Sequence, residues 1–134
     1  MATVTTRTWT GEAALLETAI FGGSDVVIAA DQEYDYTANV KLETNGEFGA
    51  VVSVAYKGNN VTDDLIVDVF ASQDGSIYDT EPFIHKIFKN NGTIRRQTFE
   101  IAGLSNYRIG LKSSGTDTTF EYEVIHDRWT ITNT

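Results

Sequence analysis

Oxygen-bearing side chains cluster in the short segment DGSIYD, residues 74–79. Asp74, Ser76 and Asp79 place two carboxylates and a hydroxyl in one tight loop, and such oxygen atoms are the ligands that calcium prefers. The segment lacks the further carboxylates and the closing glutamate of an EF-hand loop. The favoured interpretation is an Asp-Gly turn, in which Asp74 bonds to its own backbone and Gly75 takes a positive φ. Calcium is the one cofactor that the sequence suggests, as the alternative to the turn.

Two histidines could serve acid–base chemistry, but neither stands in a catalytic pattern. His85 lies inside an alternating apolar segment, and His126 lies beside Asp127. No G-x-S-x-G motif presents a serine to either one, and neither has a partner at zinc-ligand spacing. Glu121 and Glu123 alternate with apolar residues, which is typical of the solvent face of a strand. The sequence therefore predicts no catalytic residue and no enzyme.

Two tryptophans near opposite ends of the chain are further candidates for a functional role. Trp9 and Trp129 are flanked by polar or charged residues, whereas most other aromatic residues have the parity of a core. Either the tryptophans bring the terminal strands together, or one of them lies on a binding surface, where tryptophan is enriched. Together with Asp74 and Tyr78 of the acidic loop, they form the predicted interface set.

Length and composition limit the classes of protein that fit. The 134 residues correspond to one domain, 1–134, and the 41% hydrophobic residues can form a core. The formal net charge of −9 disfavours nucleic acid and anionic membranes as partners. The absence of cysteine excludes disulfides and thiolate metal sites. The first residues lack the pattern of a secretory signal peptide, so synthesis and use inside a cell are expected. No apolar run reaches the ~20 residues that span a bilayer.

Apolar residues recur at every second position through most of the chain, which is the pattern of half-buried β-strands. The clearest segments are 34–42 and 48–56, and the hairpin signal Asn45-Gly46 separates them. Eight to nine strands joined by short polar turns predict an all-β fold, an antiparallel and jelly-roll-like β-sandwich. The other predicted strands are 3–10, 26–30, 65–72, 83–89, 93–101, 107–113 and 118–132.

Three places depart from simple alternation. Residues 12–20 are rich in helix formers and precede two glycines, which predicts a short helix there. The apolar parity changes along the last segment, which predicts a bulge or break near residues 125–128. Residues 1–10 are rich in threonine and weakly patterned, so they form either an N-terminal arm or an edge strand.

Two segments resemble parts of known virion proteins. The segment 69–79, VFASQDGSIYD, resembles the Ser-x-Asp-Gly-[Ser/Thr]-x-[aromatic] element of small β-sandwich structural proteins of tailed-phage virions. The segment 106–116, NYRIGLKSSGT, looks like a later strand of those proteins, with an arginine amid apolar alternation and then a turn. A similar Ser-x-Asp-Gly turn occurs in discoidin-like and carbohydrate-binding sandwiches, which usually carry disulfides or a signal peptide.

The resemblance implies a non-enzymatic structural protein of a bacteriophage virion. A capsid decoration or auxiliary (cement) protein is favoured over a tail or neck component. The resemblance also implies a major capsid protein or other virion protein as partner, a homo-oligomer with a trimer preferred by analogy, and location in the virion. The alternative is a carbohydrate-binding or adhesion module, calcium-dependent in one version, with exposed Trp9 or Trp129 as a stacking platform.

Overall fold

The computed structural model describes residues 5–133, and the side chains of residues 6–131. Strands in two antiparallel sheets account for nearly all regular structure in this part of the chain, which confirms the predicted all-β sandwich fold. The described strands are β1 (Thr5–Glu17), β2 (Asp35–Tyr36), β3 (Val40–Lys41), β4 (Gly49–Gly58), β5 (Leu65–Ser72), β6 (Ile84–Phe88), β7 (Arg95–Ala102), β8 (Asn106–Ser113) and β9 (Phe120–Asn133).

The two sheets have different strand orders. The first sheet is β1-β9-β4-β7, and the second is β2-β8-β5-β6, with β3 also paired to β8. β5 lies between β8 and β6, so the predicted strand 65–72 is a central strand of the second sheet. β1, which contains residues 5–10, lies at an edge of the first sheet.

The core lies between the inner faces of the two sheets. Its members are alternate residues of the central strands, so the register of each strand is set by the side chains that it buries. Each large apolar side chain that is fully buried contributes roughly 1.5–3 kcal/mol. The outer faces are thereby left for other roles. The largest fully buried side chains are Tyr56, Tyr107, Tyr122, Phe120, Ile28, Leu42, Leu65, Ile101, Ile109, Leu111, Val52 and Val54.

The predicted helix at residues 12–20 is wrong. β1 continues through Glu17, and the helical structure in the described residues is one 3-10 turn, Ala19–Phe21. β1 pairs with β9 along its length, and Leu15 and Leu16 pack against the core from this strand. This pairing overrides the weak local preference for helix. No helix in the described residues is long and apolar enough to cross a membrane.

The irregularity predicted near residues 125–128 lies in the partner strand β1, opposite this part of β9, and not in β9 itself. β9 pairs with β4 without interruption along the whole of Gly49–Gly58. The register shifts lie instead in β1, where it faces β9. The apolar parity of β9 changes because Ile125 and Trp129 belong to its outer face, while Val124 lies in the core.

The strongly alternating segment 34–42 forms strands only near its two ends. β2 and β3 are two residues each, and both pair with β8. Val40 and Leu42 are buried, as predicted, but Tyr36 lies on the outer face of the second sheet opposite Gly110. The prediction of a single strand with one inward face is therefore wrong for its first half.

The segment 26–30, predicted as a strand, contributes a single bridge. The backbone N–H of Ile28 donates to the carbonyl of Phe120 at 2.9 Å, and the N–H of Phe120 donates back at 3.1 Å. Because the Ile28 side chain is fully buried, this bridge closes the core beside the start of β9.

Candidate functional site

The two tryptophans lie opposite each other in the pairing of β1 with β9, on the outer face of the first sheet. Trp129 is only 6% exposed, whereas Trp9 is 44% exposed. Among residues 5–133, Trp9 makes no ring or cation–π contact. The pair thus joins the terminal strands, as one of the two interpretations of the sequence predicts, and it leaves one indole open to solvent.

Neighbouring side chains bury Trp129 on this outer face. A Cβ at Gly49 would lie 2.7 Å from atoms Cε2 and Cζ2 of the Trp129 ring, so the ring rests against the glycine. The guanidinium carbon of Arg7 is 4.2 Å from the ring centroid. Phe48 stacks on the ring, with 6.1 Å between centroids and 20° between planes. The indole Nε1 is buried without a hydrogen-bond partner in the described part of the chain.

Phe48 is 52% exposed and borders a cleft as well as the Trp129 ring. The cleft has a volume of about 340 Å³, and its lining includes Glu43, Glu47, Phe48, Leu104 and Ser105. Glu47 is buried, and its carboxylate accepts hydrogen bonds from Thr10 Oγ1 at 2.9 Å and from Arg128 Nη1 at 3.2 Å. Aromatic and carboxylate groups therefore meet at this end of the first sheet.

The charged groups around the tryptophans are paired. Arg7 Nη1 lies 3.1 Å from Glu100 Oε1, and both side chains are about half exposed. The backbone N–H of Gly11, in a register shift of β1, donates to Asp127 Oδ1 at 2.9 Å. We call this surface the tryptophan corner; it comprises Trp9, Phe48, Trp129, Arg7 and Glu100. It offers an open aromatic ring beside exposed hydrogen-bonding groups.

The acidic loop forms the Asp-Gly turn. Asp74 Oδ1 accepts hydrogen bonds from the backbone N–H groups of Ile77 at 2.9 Å and Ser76 at 2.8 Å, and from Ser72 Oγ at 3.1 Å. The N–H groups of Ile77 and Ser76 are the main cause of a lowered pKa at Asp74. Gly75 has a φ of 79°, as the turn requires.

Calcium at Asp74, Ser76 and Asp79 stays a prediction. The turn alone accounts for the bonds of Asp74, and the N–H of Asp79 donates to the Ala71 carbonyl at 2.9 Å. Within residues 5–133, no group of three or more histidine, cysteine, aspartate or glutamate side chains is arranged to hold a metal ion. A calcium ion here would need ligands beyond the three residues that the sequence suggests.

Tyr78, the remaining predicted interface residue, contacts Arg108 on the outer face of the second sheet. The guanidinium carbon of Arg108 lies 4.2 Å from the Tyr78 centroid and 3.7 Å from the Tyr36 centroid. Lys112 Nζ lies 4.3 Å from the Tyr34 centroid. We call this surface the tyrosine face; it comprises Tyr34, Tyr36, Phe70, Tyr78, Arg108 and Lys112, with Phe70 edge-on to Tyr34.

The absence of a side chain at Gly110 leaves space for the rings of Tyr34 and Tyr36 on the second sheet. Gly110 lies between Arg108 and Lys112 on the outer face of β8. A Cβ at Gly110 would lie 2.8 Å from Tyr34 Cδ1 and 3.0 Å from Tyr36 Cε1. The two rings therefore cover the backbone of β8 between the two cations.

A buried carboxylate lies beneath the tyrosine face. Asp68 is 1% exposed, and its oxygens are hydrogen-bonded to the Tyr34 hydroxyl and, at 2.5 Å, to His85 Nδ1. Burial, together with the hydrogen bond and charge of Asp68, raises the pKa of Tyr34 above its ordinary value. No sequence motif predicts this cluster. Its one signal is that Ile66 and Phe70, at the same parity as Asp68, make the outer face of β5 apolar.

The second histidine, His126, is buried. His126 Nδ1 lies 3.4 Å from the Tyr107 hydroxyl, and burial lowers its pKa, with Arg128 adding to the effect. Within the described residues, neither histidine is hydrogen-bonded to a serine or threonine. That the chain has no catalytic residue stays a prediction.

The order of the strands in the two sheets defines this protein as a two-sheet β-sandwich. Each sheet carries one of the two aromatic surfaces on its outer face. A solved structure with a similar fold is the CBM36-1 domain of a multidomain xylanase from the hindgut metagenome of Trinervitermes trinervoides. It has a TM-score of 0.53 and 11% identity, covering 94% of this chain and 96% of that one. The Yersinia pseudotuberculosis-derived mitogen is more distant, with a TM-score of 0.37 and 11% identity over 96% of this chain and 86% of that one.

No protein-family model and no curated protein sequence matches this chain. At 11% identity, the likeness to the CBM36-1 domain shows a shared fold and nothing finer. The β-sandwich part of the predicted resemblance is thereby supported, whereas the virion, capsid and bacteriophage predictions have no support. The predicted partners, oligomeric state and location stay predictions.

Proposed function

We propose that this chain is a non-catalytic carbohydrate-binding module and that the tryptophan corner is its ligand surface. The observation that carries the proposal is the open indole of Trp9, on the same outer sheet face as exposed Phe48 and the paired side chains of Arg7 and Glu100. This is the alternative function that the sequence analysis names, now attached to one of its two tryptophans.

The chemistry of the tryptophan corner suits a sugar. A pyranose ring presents an apolar face of C–H groups, which can stack on an aromatic ring, and a rim of hydroxyls, which donate and accept hydrogen bonds. Trp9 supplies the ring, while the Arg7–Glu100 pair, which reaches from β1 over Trp129 to β7, supplies donors and an acceptor on the same face. The 340 Å³ cleft beyond Phe48 extends the surface and adds the carboxylate of Glu43. Binding sites commonly combine apolar walls with a few polar groups in this way.

Trp9 and Trp129 have different roles in this proposal. Trp129 contacts Gly49, Arg7 and Phe48 and is only 6% exposed, so its indole is not free to receive a ligand. It positions Phe48 and Arg7, which both contact its ring. Trp9 has no such neighbours, and it is therefore the stacking residue.

The fold likeness supports the proposal without establishing it. The CBM36-1 domain belongs to a xylanase, and its sheets superpose on nearly the whole of this chain. The capsid partner, the trimer and the virion location are not favoured by any particular observation, so carbohydrate binding is the function we argue.

Isothermal titration calorimetry against a panel of plant and bacterial polysaccharides tests the proposal. We expect saturable binding by the unaltered chain and a loss of roughly tenfold or more in affinity for Trp9→Ala, because such aromatic residues dominate binding energies. The control is Phe83→Ala, which removes an aromatic residue that is 55% exposed away from the tryptophan corner. Unchanged affinity of Trp9→Ala, or no binding to any glycan, would overturn the proposal.

Repeating the titration with calcium and with a chelator tests the acidic loop separately. If calcium acts there, chelation weakens glycan binding or thermal stability, and Asp79→Ala abolishes the difference. Asp79 is the better residue to change because Asp74 also holds the turn together. Equal results with and without calcium would remove the ion from the proposal and leave the role of Trp9 in place.

A further inference from the structure

Arg108 is a cation without an acceptor. Within residues 5–133 it makes no hydrogen bond and no ion pair, and its contacts are the rings of Tyr36 and Tyr78. Its Nε is buried with no partner, whereas the Nη nitrogens are not buried in this way and can be reached from solvent. The other arginines, Arg7, Arg95, Arg96 and Arg128, each have a carboxylate or carbonyl acceptor.

An unpaired guanidinium in this setting calls for a physical reason. Buried donors are nearly always hydrogen-bonded, and leaving one unpaired costs free energy that a simple apolar side chain would avoid. The chain has nineteen acidic residues and a net charge of −9, so acceptors are plentiful. The buried carboxylate of Asp68, in the neighbouring strand β5, is engaged with Tyr34 and His85 instead. Arg108 is thus held in place by rings and kept apart from carboxylates.

Two further groups in the same region lack partners. Lys112, on the same face of β8, contacts the Tyr34 ring and forms no ion pair with a described carboxylate. Asn39 has both side-chain atoms, Oδ1 and Nδ2, buried without a hydrogen bond, and it borders the turn at Gly75 that carries Tyr78. Lys112 and Asn39 thus place a second cation and a further unsatisfied polar group near Arg108, while Arg128 Nε and Trp129 Nε1 are buried without a partner on the first sheet.

We propose that Arg108 is the anchor of a second binding site, which takes the oxyanion group of an acidic sugar. A guanidinium presents planar, paired donors that match a carboxylate or sulfate, and stacking on tyrosine fixes its orientation before the ligand arrives. The exposed part of Tyr36 lies beside the guanidinium and can receive the sugar ring, while Lys112 supplies a second positive charge. This site is on the opposite sheet from the tryptophan corner and does not depend on it.

Nuclear magnetic resonance of the ¹⁵N-labelled chain gives a direct readout. Glucuronate, glucose 6-sulfate and glucose are titrated at constant ionic strength while the Nε–H signal of Arg108 is followed. We expect a saturable shift of this signal with glucuronate or with the sulfate ester, and none with glucose. The two anionic arms distinguish a carboxylate ligand from a sulfate ligand.

Variants separate a built site from general attraction of anions. Arg108→Lys keeps the charge but loses the planar donors, and we expect its affinity to fall roughly tenfold. Arg96→Gln is the matched control, because Arg96 already pairs with Glu123 on the first sheet, and its affinity should be unchanged. Should Arg108→Lys fail to fold, the signal of the unaltered chain still decides the matter.

Three results would overturn the inference: no saturable shift with either anion, an equal response to glucose, or equal affinity in Arg108→Lys. Trp9→Ala should leave the Arg108 response intact. Loss of this response with retained binding at Trp9, or the reverse, would show which of the two proposed sites is wrong.

Discussion

The tryptophan corner and the tyrosine face use the same device on opposite sheets. In each, a glycine in a central strand leaves room for an aromatic ring: Gly49 for Trp129 and Gly110 for Tyr34 and Tyr36. In each, an arginine rests on a ring. The difference lies in what is left open. The tryptophan corner pairs its arginine with Glu100 and exposes the Trp9 ring, whereas the tyrosine face holds its arginine between partly exposed rings and leaves the guanidinium unpaired.

The difference shows how one sandwich can present two kinds of surface. An open indole beside paired charges favours a ligand with an apolar face, because no net charge there needs an opposite partner. A guanidinium without an acceptor favours an anion, because only an anion satisfies its donors without a rearrangement of the fold. The same inner core supports both surfaces, since alternate residues of each strand face the other way.

The largest expected effect is the loss of stability in Gly49→Ala, which we compare with the same substitution at Gly110. Gly49→Ala places a Cβ 2.6 Å from the backbone oxygen of Ile101 and 2.7 Å from the Trp129 ring, and the backbone atom cannot move aside. Gly110→Ala meets only the rings of Tyr34 and Tyr36. We expect a loss of about 3 kcal/mol in the free energy of unfolding for Gly49→Ala and about 1 kcal/mol for Gly110→Ala, measured by urea denaturation.

The same substitution in a Trp129→Leu chain tests why Gly49→Ala lowers the free energy of unfolding. In a Trp129→Leu chain the clash with the indole is gone but that with the Ile101 carbonyl remains, so the added cost of Gly49→Ala should shrink without vanishing. Equal costs for Gly49→Ala and Gly110→Ala would contradict the idea that the two glycines work against different obstacles.

Much of the fold follows from period-two alternation, and some of it does not. The segment 65–72 was predicted with the bounds that β5 has, because both its faces are apolar and its turns are polar. The helix prediction for residues 12–20 is wrong because helix preference is a local property, whereas β1 is held by its pairing with β9, which is distant in the sequence. The parity of Phe48 indicates a core position, and this is also wrong. Phe48 precedes β4 and packs on Trp129 outside the core.

The candidate sites were predicted less well than the fold. The two tryptophans stand out in the sequence, yet only the pairing of β1 with β9 shows which of them is open. Arg108 and Lys112 are ordinary strand cations by pattern, and their unpaired state depends on where every carboxylate lies. Such a property depends on the whole assembled sandwich, so no local spacing can signal it.

An intermediate effect is expected at Asp68, beneath the tyrosine face. Asp68→Asn keeps the shape but weakens the bonds to Tyr34 and His85, so we expect a loss of about 1–2 kcal/mol in unfolding free energy. Because burial and Asp68 raise the pKa of folded Tyr34 above 10.0, its contribution to stability is full below about pH 10 and is lost as the pH rises through the raised value.

A pH titration followed by tyrosinate absorbance checks the raised pKa of Tyr34 and its link to stability. Removal of the Asp68 charge should lower the pKa of Tyr34, so the variant should lose less stability than the unaltered chain on going from about pH 9 to pH 11. Tyr107 also has a pKa raised by burial, but Asp68 does not contribute to it, so it provides a constant background. An unchanged titration of Tyr34 would mean that burial alone sets its pKa.

The smallest expected effect contrasts the two stacked arginines. Arg7→Met removes an exposed ion pair and one ring contact, and we expect a loss of about 0.5 kcal/mol that shrinks with added salt. Arg108→Met removes two ring contacts but also removes an unpaired buried donor and keeps an apolar stem against Tyr36 and Tyr78. These opposing effects should leave its stability within about 0.5 kcal/mol of the unaltered chain. A loss well above this range would make Arg108 a structural clamp, and the contrast between a paired and an unpaired arginine would then carry no functional meaning.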